Sequence, residues 1–154
     1  MRRADPAALS MIGRLVEAGR EIELPSRGDS MFPLIREGSR CTFSPVRPGE
    51  LHPGDIVLFR GAGGELIGHR YYGRDGAGLL LFRGDANVRF DIPVPEEHVL
   101  GRLTSIRRRS RLYRPDEGFC RMWGEWVMNL RWIPVLVRRM LRTKEALRRR
   151  VTPG

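Results

Sequence analysis

A serine hydroxyl becomes a useful nucleophile near neutral pH only when a base is placed to take its proton. This chain holds few groups that could serve: three histidines, His52, His69 and His98, and a single lysine, Lys144. The serine whose surroundings best suit chemistry is Ser30, in Gly28-Asp29-Ser30-Met31-Phe32-Pro33. A nearby glycine and proline impose a tight, irregular backbone, which can expose the hydroxyl and turn local N–H groups toward a developing oxyanion. Taken alone the motif is weak, because serine in a turn more often hydrogen-bonds its own backbone.

Of the three histidines, His52 sits in a Pro-Gly-Asp turn and His98 beside Glu96 and Glu97, both ordinary surface contexts. His69 follows the apolar pair Leu66-Ile67 in Ile67-Gly68-His69-Arg70-Tyr71, where a strand would hold it rigidly. A third group, Arg83-Gly84-Asp85-Ala86-Asn87 followed by Asp91, supplies two carboxylates after the next apolar run. Either could orient an imidazole and stabilise its cationic form. Each group also has a plain structural reading, as a strand-end histidine or as a turn whose acid and amide bond their own backbone.

The elements that would position these groups differ along the chain. Residues 5–19 read as a short amphipathic helix, with Asp5 as cap, Pro6 in its first turn, an apolar stripe of Ala8, Leu9, Ile12, Leu15 and Val16, and Gly19 at its end. From Ile22 to about Ile106, short apolar runs alternate with Gly, Pro and Asp punctuation. The runs begin at Cys41, Ile56, Leu66, Leu79 and Val99, and Gly61-Ala62-Gly63-Gly64 and Asp75-Gly76-Ala77-Gly78 read as hairpin turns. This texture predicts a mainly β, antiparallel body over residues 21–107. After an Arg-rich link at 107–118, apolar residues from Phe119 to Leu141 recur at intervals of three and four, predicting one long helix kinked at Pro134.

The net charge of +10 is unevenly distributed: residues 102–154 carry fourteen Arg and one Lys against four acids. A basic tail (108–154) on a mildly acidic body implies a polyanionic partner, an anionic membrane surface or nucleic acid, unless the tail is simply solvated. Cys41 and Cys120 form no disulfide framework and no metal-ligand spacing, and read as free thiols in a reducing, cytoplasmic compartment. Arg14, Glu17 and Arg20 interrupt the only candidate for a signal peptide, and no stretch has the apolar length needed to cross a bilayer. The expectation is therefore a soluble or peripheral protein.

Five segments come in the order and approximate spacing found in the signal peptidase I and LexA-like serine protease superfamily, which residues 24–107 resemble. They are Gly28 to Pro33, Pro53-Gly54-Asp55-Ile56-Val57, His69-Arg70-Tyr71-Tyr72-Gly73, Arg83-Gly84-Asp85-Ala86-Asn87 and Val99-Leu100-Gly101-Arg102. In the common bacterial members a lysine stands directly before the arginine of the third segment; here that position is His69, and Lys144 lies in the tail. The pattern is more similar to the branch of the endoplasmic reticulum, archaea and some spore-forming bacteria, where serine and histidine pair and an aspartate assists. The resemblance implies a β protease fold with Ser30 as nucleophile, His69 as base and Asp91 as third member, with Asp85 as the alternative.

Gly28, Asp29 and Met31 would shape the site and its oxyanion hole. No metal or organic cofactor is implied, and the substrate would be an extended leader or precursor peptide. Three departures stand out: no transmembrane helix precedes the serine segment, Gly28 stands where a serine often helps the oxyanion, and no long second domain is inserted.

Residues 119–150 combine Trp123, Trp126 and Trp132 with arginines, a composition suited to the interface of an anionic membrane. Packing onto the protein's own sheet and docking in a partner's groove are the other readings of that helix. DNA binding is not expected, because LexA-like repressors place a helix-turn-helix domain ahead of the protease and the 20 or so residues here are too few for one. The competing function is a non-catalytic peptide-binding or assembly module that keeps the fold.

Overall fold

The apolar runs form strands, and they build a single antiparallel sheet. The computed structural model describes residues 6–151; Asp5, read as a helix cap, and the side chains of Arg148, Arg149 and Arg150 lie outside the described residues. Helix α1 (Pro6–Glu17) lays Ile12 into the core, with Leu15 and Val16 against it. It ends where Gly19 turns left-handed (φ 69°), its N–H donating to Val16 O at 2.9 Å and that of Arg20 to Leu15 O at 2.8 Å. Glycine suits this helix stop because it adopts positive φ without steric cost.

Seven strands follow: β1 (Ile22–Pro25), β2 (Arg40–Ser44), β3 (Ile56–Arg60), β4 (Leu66–Arg74), β5 (Leu80–Arg83), β6 (Val99–Arg108) and β7 (Arg111–Tyr113). Their order in the sheet is β1-β2-β6-β3-β4-β5, with β7 paired to β6. The hairpin turns fall at the two glycine-rich pieces; in the second, Asp75 Oδ1 accepts from the N–H groups of Ala77 and Leu79, both at 2.9 Å. Period-two alternation sends Ile56 and Leu58 of β3 to one face and Val57 and Phe59 to the other. Each face then has its own core, and the smaller one is built around the stacked rings of Phe59 and Phe82, 4.3 Å between centroids.

Two strands fall where none was expected. The β1 run is only four residues and ends in Pro25, tolerable because it is an edge strand. The Arg-rich link contains β7, which pairs back on β6 after Arg109 adopts φ 54°. The single long helix is also corrected: the chain forms α2 (Gly118–Asn129) and α3 (Ile133–Val151), broken ahead of Pro134 rather than kinked at it. Proline has no N–H and its ring crowds the carbonyl four residues back, here that of Leu130, so it is accommodated in the first turn of α3 and α2 must end.

Both helices pack on the sheet, with Cys120, Trp123, Val127, Ile133 and Val137 in the same core as Ile12, Leu58 and Ile106. The boundary drawn near residue 107 falls inside β6 and marks no break in packing.

Candidate active site

The turn that carries Ser30 begins at Gly28, held at φ 72°, a conformation L side chains rarely adopt. This accounts for glycine at position 28. The Asp29 carbonyl closes the turn by accepting from Phe32 N–H at 3.1 Å, while its side chain is exposed. Met31 is buried beneath. Among the described residues, the N–H groups of Ser30 and Met31 have no protein acceptor, so both are available to an oxyanion at the serine.

His69 lies in β4 opposite Val57, only 7% exposed, with its ring against the edge of Phe59 at 6.4 Å between centroids. Its Nε2 is 2.9 Å from Ser30 Oγ and its Nδ1 is 2.6 Å from Asp91 Oδ2. A carboxylate can only accept, so with a neutral imidazole the ring proton sits on Nδ1 and Nε2 is free to accept from the hydroxyl. Asp91 is fixed by its own N–H donating to Phe82 O of β5 at 2.9 Å.

The connection from β5 to Asp91 is braced against the serine turn, since Ala86 N–H donates to Ser30 O at 2.8 Å. Gly84 makes the approach possible: a Cβ there would stand 2.7 Å from Ser30 O and 3.1 Å from His69 Nε2. This need for glycine was not read from the sequence; only the Gly84-Asp85 pair hinted at it.

Asp85, the alternative third member, is placed elsewhere. It is fully buried, with Oδ1 accepting from Arg70 Nε at 2.8 Å and Oδ2 from an Arg70 terminal nitrogen at 2.7 Å and from Trp123 Nε1 at 2.9 Å. The other terminal nitrogen of Arg70 donates to Gly54 O at 2.8 Å. Burial works against the Arg70 charge, but Asp85 more than offsets it, and the guanidinium sits above its ordinary range. Trp123, grouped from the sequence with Trp126 and Trp132 as suited to a membrane interface, is instead buried, because its indole N–H is taken by Asp85; its place on the apolar stripe announced burial but not this partner.

The serine, imidazole and carboxylate border a cleft of about 1040 Å³, lined in part by Leu24, Pro25 and Ser26 on one side and Leu66, Ile67 and Gly68 on another. Cys41 also lines it, buried and free, its thiol pushed up to about 12 by burial with the Glu23 charge adding, so it remains protonated. Cys120 is likewise free and buried. His52 is exposed and engaged through its backbone, its N–H donating to Asp55 Oδ2 at 2.9 Å and its carbonyl accepting from Asp55 N–H at 3.0 Å.

Among the described residues no group of three or more His, Cys, Asp or Glu is placed to hold a metal, and no helix is long and apolar enough to cross a membrane. Comparison with protein-family models, with curated proteins and with solved structures finds no match to this chain.

Proposed function

We propose that this protein is a serine endopeptidase of the signal peptidase I and LexA-like type, acting on an extended leader or precursor peptide through Ser30, His69 and Asp91. The observation that carries the reading is the continuous chain of contacts from Ser30 Oγ to His69 at 2.9 Å and from His69 to Asp91 at 2.6 Å, at the edge of an open cleft. Both distances lie within the reach a general base requires. The resemblance of residues 24–107 to the Ser-His branch supports the same assignment.

In this mechanism His69 Nε2 takes the hydroxyl proton as Ser30 Oγ attacks the scissile carbonyl. Asp91 holds the imidazole in the Nδ1–H tautomer and stabilises the imidazolium that forms. The N–H groups of Ser30 and Met31, which have no protein acceptor among the described residues, serve as donors to the tetrahedral oxyanion. His69 then gives its proton to the leaving amine, and a water molecule, deprotonated by the same nitrogen, releases the acyl group. The cleft accepts a chain in extended form because strand β1 and the start of β4 both border it.

The test is cleavage of a library of short peptides read by mass spectrometry, for the unaltered protein beside Ser30→Ala, His69→Ala and His52→Ala. The expected result is cutting by the unaltered protein and by His52→Ala, lost in the other two. Peptides bound but never cut would assign the cleft to the binding-module reading instead.

A further inference from the structure

Helix α2 has two apolar sides. Cys120, Trp123 and Val127 enter the core, while Phe119, Met122 and Trp126, three and four residues apart on the adjoining flank, are exposed, with the Phe119 ring stacked on that of Trp123 at 6.2 Å between centroids. The exposed series continues past the break through Leu130, Trp132, Val135, Leu136 and Met140; Trp126 is 45% exposed and Trp132 59%. So many large apolar groups left outside on one pair of helices mark a contact surface.

We propose that α2 and α3 form an in-plane docking surface for an anionic lipid bilayer. Charge decides this occupant over a protein one. No acid occurs between Trp126 and Lys144, whereas Arg131, Arg138, Arg139 and Arg142 all stand exposed among the apolar groups. A second copy of the chain would bring these arginines against their own kind, and the buried centres of protein interfaces are depleted of charge. Lipid phosphates pair with guanidinium groups, while indole rings favour the boundary between headgroups and acyl chains.

The surface adjoins the candidate active site. Lys144 Nζ lies 5.8 Å from the ring centroid of Phe32 in the serine turn. An Arg83 nitrogen approaches Val127 O of α2 at 3.5 Å while its guanidinium covers Phe90, next to Asp91, at 5.1 Å. Docking would therefore fix how the cleft faces the bilayer. The proposal stands on the helices alone and does not depend on the peptidase reading.

The test uses the full chain, co-sedimented with vesicles of phosphatidylcholine alone or mixed with phosphatidylglycerol, with no substrate present. Binding should require phosphatidylglycerol, weaken with salt, and shift tryptophan emission to the blue. Arg138→Gln/Arg139→Gln/Arg142→Gln should lose affinity on the order of 100-fold, and Trp126→Ser/Trp132→Ser about tenfold or more, with circular dichroism unchanged. Should the tryptophan variant misfold, Leu136→Ser/Met140→Ser probes the same face.

The proposal is overturned by failure to bind phosphatidylglycerol vesicles, or by binding that folded variants leave intact. It is equally overturned if the apolar face instead holds a dimer that dissociates in the tryptophan variant.

Discussion

His69 and Arg70 are neighbours in β4, and their carboxylate partners, Asp91 and Asp85, belong to one connection after β5, yet the two pairs have opposite characters. The His69–Asp91 pair opens on a cleft and has a serine hydroxyl on its far nitrogen. The Arg70–Asp85 pair is sealed, with side-chain exposures of 4% and 0%, and both Asp85 oxygens are taken by Arg70 and Trp123. Imidazole changes charge in the physiological range and can pass a proton along; guanidinium cannot. One pair is suited to chemistry and the other to bracing it, because adjacent residues of a strand leave opposite faces.

The sharpest way to break the comparison is to replace each acid. Asp91→Asn should lower kcat on the order of 10⁴-fold, by favouring the wrong imidazole tautomer, while the urea midpoint hardly moves. Asp85→Ala should instead destabilise the fold by about 3–5 kcal/mol, because it leaves a guanidinium buried without its counter-ion; urea denaturation measures this. Equal losses of stability in both variants would remove the distinction.

The pH dependence of stability is a milder test. Arg70 is a cation whose folded value is raised, so its contribution to stability is complete below the ordinary arginine range and is lost only as pH climbs through its raised value. Stability from this source should thus be flat from about pH 6 to 9. The smallest effect expected is that of Trp123→Phe, which keeps an aromatic ring but removes the N–H to the Asp85 carboxylate: about 1.5–3 kcal/mol of stability, with an unaltered pH–rate profile.

Much of the sheet was legible because strands with Gly-rich turns announce themselves. Leu79 to Phe82 and Ile56 to Phe59 are continuous apolar runs bounded by turn residues, and they became β5 and β3. β1 was less legible because a four-residue edge strand with a proline carries little pattern, and β7 because three residues among arginines carry less. The helical period over 119–141 announced an apolar stripe but not its division, since Pro134 is compatible both with a kink and with the first turn of a new helix.

Composition and order alone determined which groups could take part: the chain has one lysine, far from the serine segment, and only one histidine in a strand-like setting ahead of two acids. Only the tertiary structure decided which acid meets the imidazole, since Asp85 and Asp91 are separated by a few residues and both lie within reach in the sequence. Their assignment depends on the bend of the 84–91 connection against Ser30 O, on the absence of a side chain at Gly84, and on Trp123 arriving from a helix 38 residues away to occupy Asp85. Such distant contacts leave no local periodicity, because a hydrogen-bond partner is chosen by three-dimensional packing rather than by spacing along the chain.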